Sequence, residues 1–288
     1  MRMVRGLLFD LGSTLWHKVQ GDVWETLETA ANARAGMLLR QQVGRDDLLP
    51  MDAASLGTSL RGAIAEATHR AHDATPDDEP DFAELTRQAL EMLLRHPVDR
   101  ALGTMVFEAL RVRAAGSRVL FDDAIPTLGA LRARGYALGV VTNRAYGGEI
   151  FIEDLRLLEL LPFFAPGALA ISADLGIRKP NPVMFQYALR RLDLPATQVA
   201  MIGDNLIADV WGAERAQVVA VWKPSAKLRA AAGGMPEPLT ESTEAGEHLV
   251  SWARRQAYAK DTRTLTMAPP AAVIDQLRDL LAIFPGVP

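Results

Sequence analysis

The chain has 288 residues, with 31 lysines and arginines against 35 aspartates and glutamates, for a formal charge of −4. At 49% hydrophobic and 23% charged residues it is an ordinary folded composition, neither disordered nor fibrous. The near-neutral balance argues against a nucleic-acid binder relying on a basic face. The absence of cysteine excludes disulfides, thiolate nucleophiles, Cys-ligated zinc and iron–sulfur clusters together. After Arg2 and Arg5, the apolar stretch Gly6 to Phe9 is shorter than the ~7–15 residues of an export signal. The window Leu155 to Ile171 is broken by Arg156, Glu159, Pro162 and Pro166, where a bilayer span needs ~20 apolar residues. A cytoplasmic protein with no membrane partner is the expectation.

In chain order, Val4 to Phe9 is a short apolar run that ends in Asp-Leu-Gly-Ser-Thr, the pattern of a buried strand entering a turn. Ala137–Val141, Ala168–Ile171, Val199–Ile202 and Val219–Trp222 have the same character. Between them, Pro126 to Arg134 reads as a helix, with Asp123 upstream and Gly135 just past its end. Asn181-Pro182 opens another, running to about Leu192. Strands alternating with helices predict parallel βαβ units, and hence a doubly wound, Rossmann-like α/β fold with ligands beyond the carboxyl ends of the strands.

The stretch from His17 to Gly116 contains no convincing strand. Trp24, Leu27, Ala31, Ala35 and Leu38 fall at helical spacing, as do Phe82, Leu85, Ala89 and Leu93. The predicted organisation is an α/β core of residues 1–16 and 117–288 with an inserted helical cap of residues 17–116. Pro224 to Met267 is the least legible region, with a possible helix over Glu247 to Ala259. Ala271 to Ile283 reads as a final amphipathic helix, from Val273, Ile274, Leu277, Leu280 and Leu281.

Four features lie at or just beyond strand ends. Asp10, in Phe9-Asp10-Leu11-Gly12-Ser13-Thr14, is a carboxylate where substrates sit; it is a candidate nucleophile or a turn residue bonding nearby amides. Thr142 and Asn143 offer a hydroxyl and amides, which serve phosphoryl oxygens or a helix cap equally well. Lys179, in Gly-Ile-Arg-Lys-Pro-Asn-Pro, could neutralise a phosphate or stand solvated at the surface. Asp204 and Asp209 straddle a strand-to-helix loop, and hard carboxylate oxygens of that kind suit Mg²⁺ together with water and a substrate phosphate. Asp209 could instead cap the helix.

The ordered set Asp10/Thr14, Thr142, Lys179 and Asp204/Asp209 resembles the four motifs of the haloacid dehalogenase-like hydrolase superfamily, over residues 1–16 and 117–223. The helical segment sits where that superfamily places a type 1 cap. The resemblance implies a Mg²⁺-dependent hydrolase of small phosphorylated metabolites. Asp10 would form an aspartyl-phosphate, and Thr142, the Asn143 amide and Ser13 would hold the phosphoryl group. Lys179 would neutralise charge. Asp10, the Gly12 carbonyl and Asp204 would ligate Mg²⁺, with Asp209 as ligand or supporting acceptor.

One position departs from that pattern. Phosphatases of the superfamily usually carry a second Asp, as general acid/base, where this chain has Gly12. Such catalysis is typically worth ~10²–10⁴-fold. A phosphatase with another proton donor, a dehalogenase-type hydrolase and a non-catalytic metal- and phosphate-binding protein therefore all remain open. The Gly203-Asp204 pair with Asp209 favours the first, because dehalogenases lack the metal site. His17 is the one histidine near the first motif and so a candidate donor. Arg144 is either a substrate contact or a solvent-facing side chain. His69 and His72, three apart, read as exposed histidines beside acidic residues rather than a metal pair.

Overall fold

The computed structural model describes residues 4–44, 51–231, 250–251, 253 and 267–287. Among these the strands are β1 (Gly6–Phe9), β2 (Trp16–Lys18), β3 (Arg118–Leu120), β4 (Ala137–Thr142), β5 (Leu169–Ile171), β6 (Val199–Gly203), β7 (Val219–Trp222) and β8 (Ala272–Val273). Successive strand residues point to opposite faces. Leu7 and Phe9 therefore join one core with Leu138, Val140, Ile202 and Val221, while Leu8 joins another with Val141, Val199 and Met201. A sheet apolar on both faces has to be covered on both. The result is a six-stranded parallel sheet in the order β5-β4-β1-β6-β7-β8, the expected doubly wound α/β architecture.

Register aligns the functional ends of the three central strands. Phe9 lies opposite both Val140 and Ile202, so Asp10 is level with Val141 and Gly203, and Thr142 and Asp204 lie just beyond.

Between β2 and β3 the chain forms α1 (Asp22–Val43), α2 (Ala53–Ala74), α3 (Phe82–Leu94) and α4 (Arg100–Ala109). Asp52, Asp81 and Asp99 cap the last three, each accepting from the backbone N–H three residues on. The four helices bury Ala35, Leu39, Leu56, Leu60, Leu90 and Val106 in a core separate from those of the sheet. The expectation of no strand here needs correction: β2 pairs antiparallel with β3, Trp16 against Leu120 and Lys18 against Arg118. The two strands are three residues each and pair only with one another, so exposed His17 and Lys18 carry no apolar alternation.

The chain re-enters the sheet region through α5 (Ala114–Ser117), then α6 (Ala124–Ala133) and α7 (Gly148–Leu157). Buried Asp154 on α7 anchors that return, accepting from Arg113 Nε at 2.6 Å and from the Ala114 amide at 2.8 Å. Helix α6 starts two residues before the predicted Pro126, in whose first turn a missing N–H costs nothing. Asp123 does not cap it with its side chain; that carboxylate accepts from the Arg278 amide.

The predicted single helix over Ala271 to Ile283 is also corrected. Ala272–Val273 form edge strand β8 beside Val221 and Trp222, followed by a 3₁₀ turn, Leu277–Asp279, and a short helix, Leu280–Ile283. The backbone finds its partners in β7, with Ala271 N–H donating to Ala220 O and Ile274 N–H to Trp222 O. Asp279 accepts from the amides of Asp275 and Gln276, which sets the helical start later than the apolar spacing suggested. In the illegible region a helix covers Ala226–Ala231. The helix expected over Glu247 to Ala259 lies outside the described residues, apart from 250, 251 and 253.

Candidate active site

The centre of the site is a buried lysine between two carboxylates. Lys179 Nζ donates to Asp10 Oδ1 at 2.7 Å and to Asp209 Oδ1 at 2.6 Å. Its backbone is clamped from β4: Lys179 N–H donates to Asn143 Oδ1 at 2.8 Å and Asn143 Nδ2 donates to Lys179 O at 2.9 Å. Immediately after, Asn181 caps α9 (which follows α8, Ser172–Leu175, and spans Pro182–Leu192) through the Val183 amide. The lysine is thus fixed at both ends, by its loop and by its charge partners.

Asp209 lies within a π-helical turn, Leu206–Trp211, a distortion common at functional sites. The cap of this turn is Asn205, whose Oδ1 accepts from Ile207 and Ala208, so Asp209 does not take that role. Instead its second oxygen accepts from the Asn205 amide at 2.9 Å. Position 203 must be glycine for this arrangement, because a Cβ there would lie 2.2 Å from the Asp209 carboxyl carbon.

Oxygens of Asp10, Asp204 and Asp209 lie within 4.8 Å of one another. Both Asp209 oxygens already accept hydrogen bonds, from Lys179 and Asn205, so its geometry is that of a support for the lysine. Asp10 keeps Oδ2 free of the lysine, and among the described residues nothing bonds the Asp204 carboxylate. Burial, then Asp209 and Asp10, push Asp204 up to about 8; burial likewise raises Asp209 to about 6 against the pull of Lys179. Burial also pulls Lys179 down, but Asp10 and Asp209 outweigh it and leave the ammonium raised. Three crowded carboxylates against one lysine leave negative charge uncompensated, and hard oxygen donors of this kind fit Mg²⁺.

This charge has a cost in the metal-free protein. Folded Asp204 holds its proton to about 8 against an ordinary 3.8, so the folded state binds more protons between these values and stability falls as pH rises through them. Asp204→Asn is therefore expected to raise the metal-free melting temperature near neutral pH by roughly 2–4 °C, an advantage that shrinks toward acid pH. A thermal melt series in chelator checks this; a variant that melts lower than wild type at pH 8 would refute it.

A cavity of about 400 Å³ opens over the cluster, lined among others by Asp10, Asn143, Lys179, Asp204 and Asp209. Thr142 is buried at the end of β4 beside it. Ser13 is not brought there: its amide donates to Trp16 O, its φ is 56°, and it lines a second cavity with His17 and Lys223. His17 is exposed, its ring against Phe121. Gly12 stands beside Asp10, where a Cβ would be 3.9 Å from Asp10 Oδ2. Arg144 is half-buried over the Phe151 ring at 4.0 Å, and burial chiefly lowers it to about 10. His69 pairs with Asp73 and His72 with Glu79, so they do not form a pair.

Sequence reasoning missed Arg178, His72 and Asn205, which also line the first cavity, and buried Lys223, which donates to Ser13 O at 3.2 Å. Arg178 adjoins Lys179 in a loop already singled out, so its neighbourhood was readable. His72 reaches the cavity only through the folding of the helical insertion, for which the sequence carries no local signal.

The haloacid dehalogenase-like hydrolase family matches residues 4–217. A glyceraldehyde 3-phosphate phosphatase of Methanopyrus kandleri is 39% identical over 101 residues, which cover 35% of this chain and 42% of that relative. A phosphoglycolate phosphatase of Rhodospirillum rubrum is 32% identical over 213 residues, 70% of this chain and 73% of the relative. The chain thus spans less than half of the first relative and nearly three quarters of the second. A solved structure described as a 2-haloacid dehalogenase of Pseudomonas syringae pv. tomato superposes with a TM-score of 0.52 at 26% identity, covering 87% of this chain and all of the other. No described helix is long and apolar enough to cross a membrane. With a parallel sheet whose strand ends carry Asp10 and Asp204, Lys179 and Asp209 gathered against Asp10, and a family match across most of its length, the chain belongs to the haloacid dehalogenase-like hydrolases.

Proposed function

We propose that this hydrolase cleaves small phosphomonoesters with Mg²⁺, through a phosphoryl group carried on Asp10. The observation that carries the reading is the Asp204 carboxylate, which no side chain among the described residues hydrogen-bonds and which Lys179 and Lys223 only partly offset, although it lies near Asp10 and Asp209. A half-buried carboxylate crowded by two others is best satisfied, in its ionised form, by a cation. Asp10 Oδ2, Asp204 and the Gly12 carbonyl would hold the cation, with Asp209 behind them as support. Mg²⁺ held there would supply positive charge against the negative charge of the phosphoryl group.

Asp10 attacks phosphorus in line, and its bond to Lys179 orients the attacking carboxylate. The Thr142 hydroxyl, the Asn143 amide and the Lys179 ammonium hold phosphoryl oxygens, and water then releases phosphate and restores Asp10. The helical insertion acts as a cap that bounds the pocket and limits access of bulk water. Relatives named for phosphoglycolate and glyceraldehyde 3-phosphate support substrates of a few carbons.

The dehalogenase reading, favoured by the structural likeness to a 2-haloacid dehalogenase, also uses a carboxylate nucleophile. It leaves the charge of Asp204 without a purpose. Phosphate release from a panel of small phosphomonoesters, measured with Mg²⁺ and with chelator, separates the readings. Release that requires Mg²⁺ is expected. Chloride release from 2-haloacids without phosphate release would establish the dehalogenase instead, and neither product would leave a binding role.

A further inference from the structure

We propose that His72, carried by the helical insertion and oriented by Glu79, is the group that protonates the departing ester oxygen. The assignment rests on the phosphomonoesterase reading above. An alkyl leaving group departs as an alkoxide unless a proton meets it, so a cavity for such esters needs a donor.

Six charged or titratable residues line that cavity: Asp10, His72, Arg178, Lys179, Asp204 and Asp209. Asp10 is the nucleophile and Asp204 faces the cation. Asp209 and Lys179 are bonded to each other, and a guanidinium such as Arg178 does not give up its proton. His72 is left, and an imidazole can both donate and accept near neutral pH.

The structure also holds that imidazole in place. His72 Nε2 lies 3.3 Å from Glu79 Oε1, and the Glu79 side chain is only 3% exposed. An Nε2–H donated to Glu79 leaves Nδ1 for the substrate. Backbone bonds fix the insertion over the site: Glu79 N–H donates to Gly176 O at 3.1 Å and Arg178 N–H to Asp77 O at 3.0 Å. Arg215 adds an ion pair to Asp77 at 3.2 Å. The loop that ends α2 is thereby joined to the loop that carries Lys179. The second histidine considered, His17, opens on the other cavity.

In the first step the Asp10 carboxylate bonds to phosphorus as the ester P–O bond breaks. The electron pair of that bond goes to the leaving oxygen, which takes the proton from His72. In the second, which is the same for any ester, a water oxygen bonds to phosphorus and its protons stay on the departing phosphate, while the bond between the Asp10 oxygen and phosphorus breaks and returns the carboxylate. Alcohol and phosphate leave, and exchange with solvent returns the proton to His72. Burial, then Arg178, lower the His72 imidazolium below its ordinary range, and Glu79 offsets them only in part.

The test compares turnover of an alkyl phosphomonoester and of p-nitrophenyl phosphate, whose leaving group departs without a proton. His72→Asn is expected to lower kcat on the alkyl ester ~100-fold or more, with little change on the aryl ester, and to remove the alkaline limb of the alkyl pH profile. Glu79→Gln is expected to give a smaller loss with the same selectivity. Adding Gly12→Asp to His72→Asn should restore alkyl turnover, since a Cβ at position 12 meets nothing closer than Asp10 Oδ2 at 3.9 Å. Aryl turnover reports folding in every variant. Equal losses on both esters, or no loss on the alkyl ester, would overturn the assignment. Failure of wild type to release phosphate from either ester would refute the phosphomonoesterase reading, and His72 with it.

Discussion

Asp10→Asn is expected to abolish phosphate release, by about 10³-fold or more, without unfolding the protein. An amide is not a nucleophile toward phosphorus, and it gives up the anionic oxygen that faces Asp204. The fold tolerates the change because the site carries three carboxylates for one lysine. Removing one negative charge relieves repulsion, and Lys179 keeps Asp209 as its partner. Loss of activity with an intact melt is therefore the signature. Acid quench during turnover of a ³²P-labelled ester should leave hydroxylamine-labile label on wild type and none on the variant. Label retained by Asp10→Asn would move the nucleophile elsewhere.

Lys179→Met is expected to have the opposite balance, with large losses of both stability and activity. The ammonium is buried and touches two buried carboxylates. Removing one partner of such a network typically costs about 3–5 kcal/mol, because the remaining charges stay buried and unpaired. In a domain of this size that lowers the melting temperature by on the order of 10 °C. The sign of the pH dependence follows from the raised ammonium, whose stabilisation is complete below its ordinary value of 10.5 and is lost only above it. The full deficit thus shows at neutral pH. It should shrink in acid, where the carboxylates of the variant protonate and no longer repel. Melts of wild type and variant in chelator at several pH values decide the point; a deficit that grows toward acid would exclude this electrostatic account.

The contrast between these two substitutions shows which parts of the site the sequence could reveal. Asp10, Lys179 and Asp204 were legible because each follows an apolar run or precedes a capped helix, and in a parallel sheet those positions converge. Position alone did not separate ligand from support. Asp209 read as a ligand or a cap, and only its two hydrogen bonds identify it as the holder of Lys179. Asn143 read as a phosphoryl contact through its amide, whereas its side chain clamps the lysine backbone.

The fold divides in the same way. Strands β1 and β4 to β7 are buried on both faces and announce themselves as apolar runs. The ribbon of β2 and β3 is short and half-exposed. Edge strand β8 hides in a segment whose apolar spacing also suits a helix, and the choice is made by free hydrogen-bonding groups on β7, far away in sequence. His72 is the strongest instance: its partner Glu79 is local, but its place in the cavity that Asp10 also lines comes with the docking of Asp77–Glu79 onto Gly176–Arg178.

Trp222, at the end of β7, is fully buried and its indole N–H donates to the backbone carbonyl of Asp204 at 2.8 Å. The residue proposed to hold the cation is thus hydrogen-bonded to a chromophore. Indole emission depends on the field around the ring and on the bond at its nitrogen. A cation bound against Asp204 would alter both, so indole emission would serve as an optical gauge of occupancy at the proposed metal site.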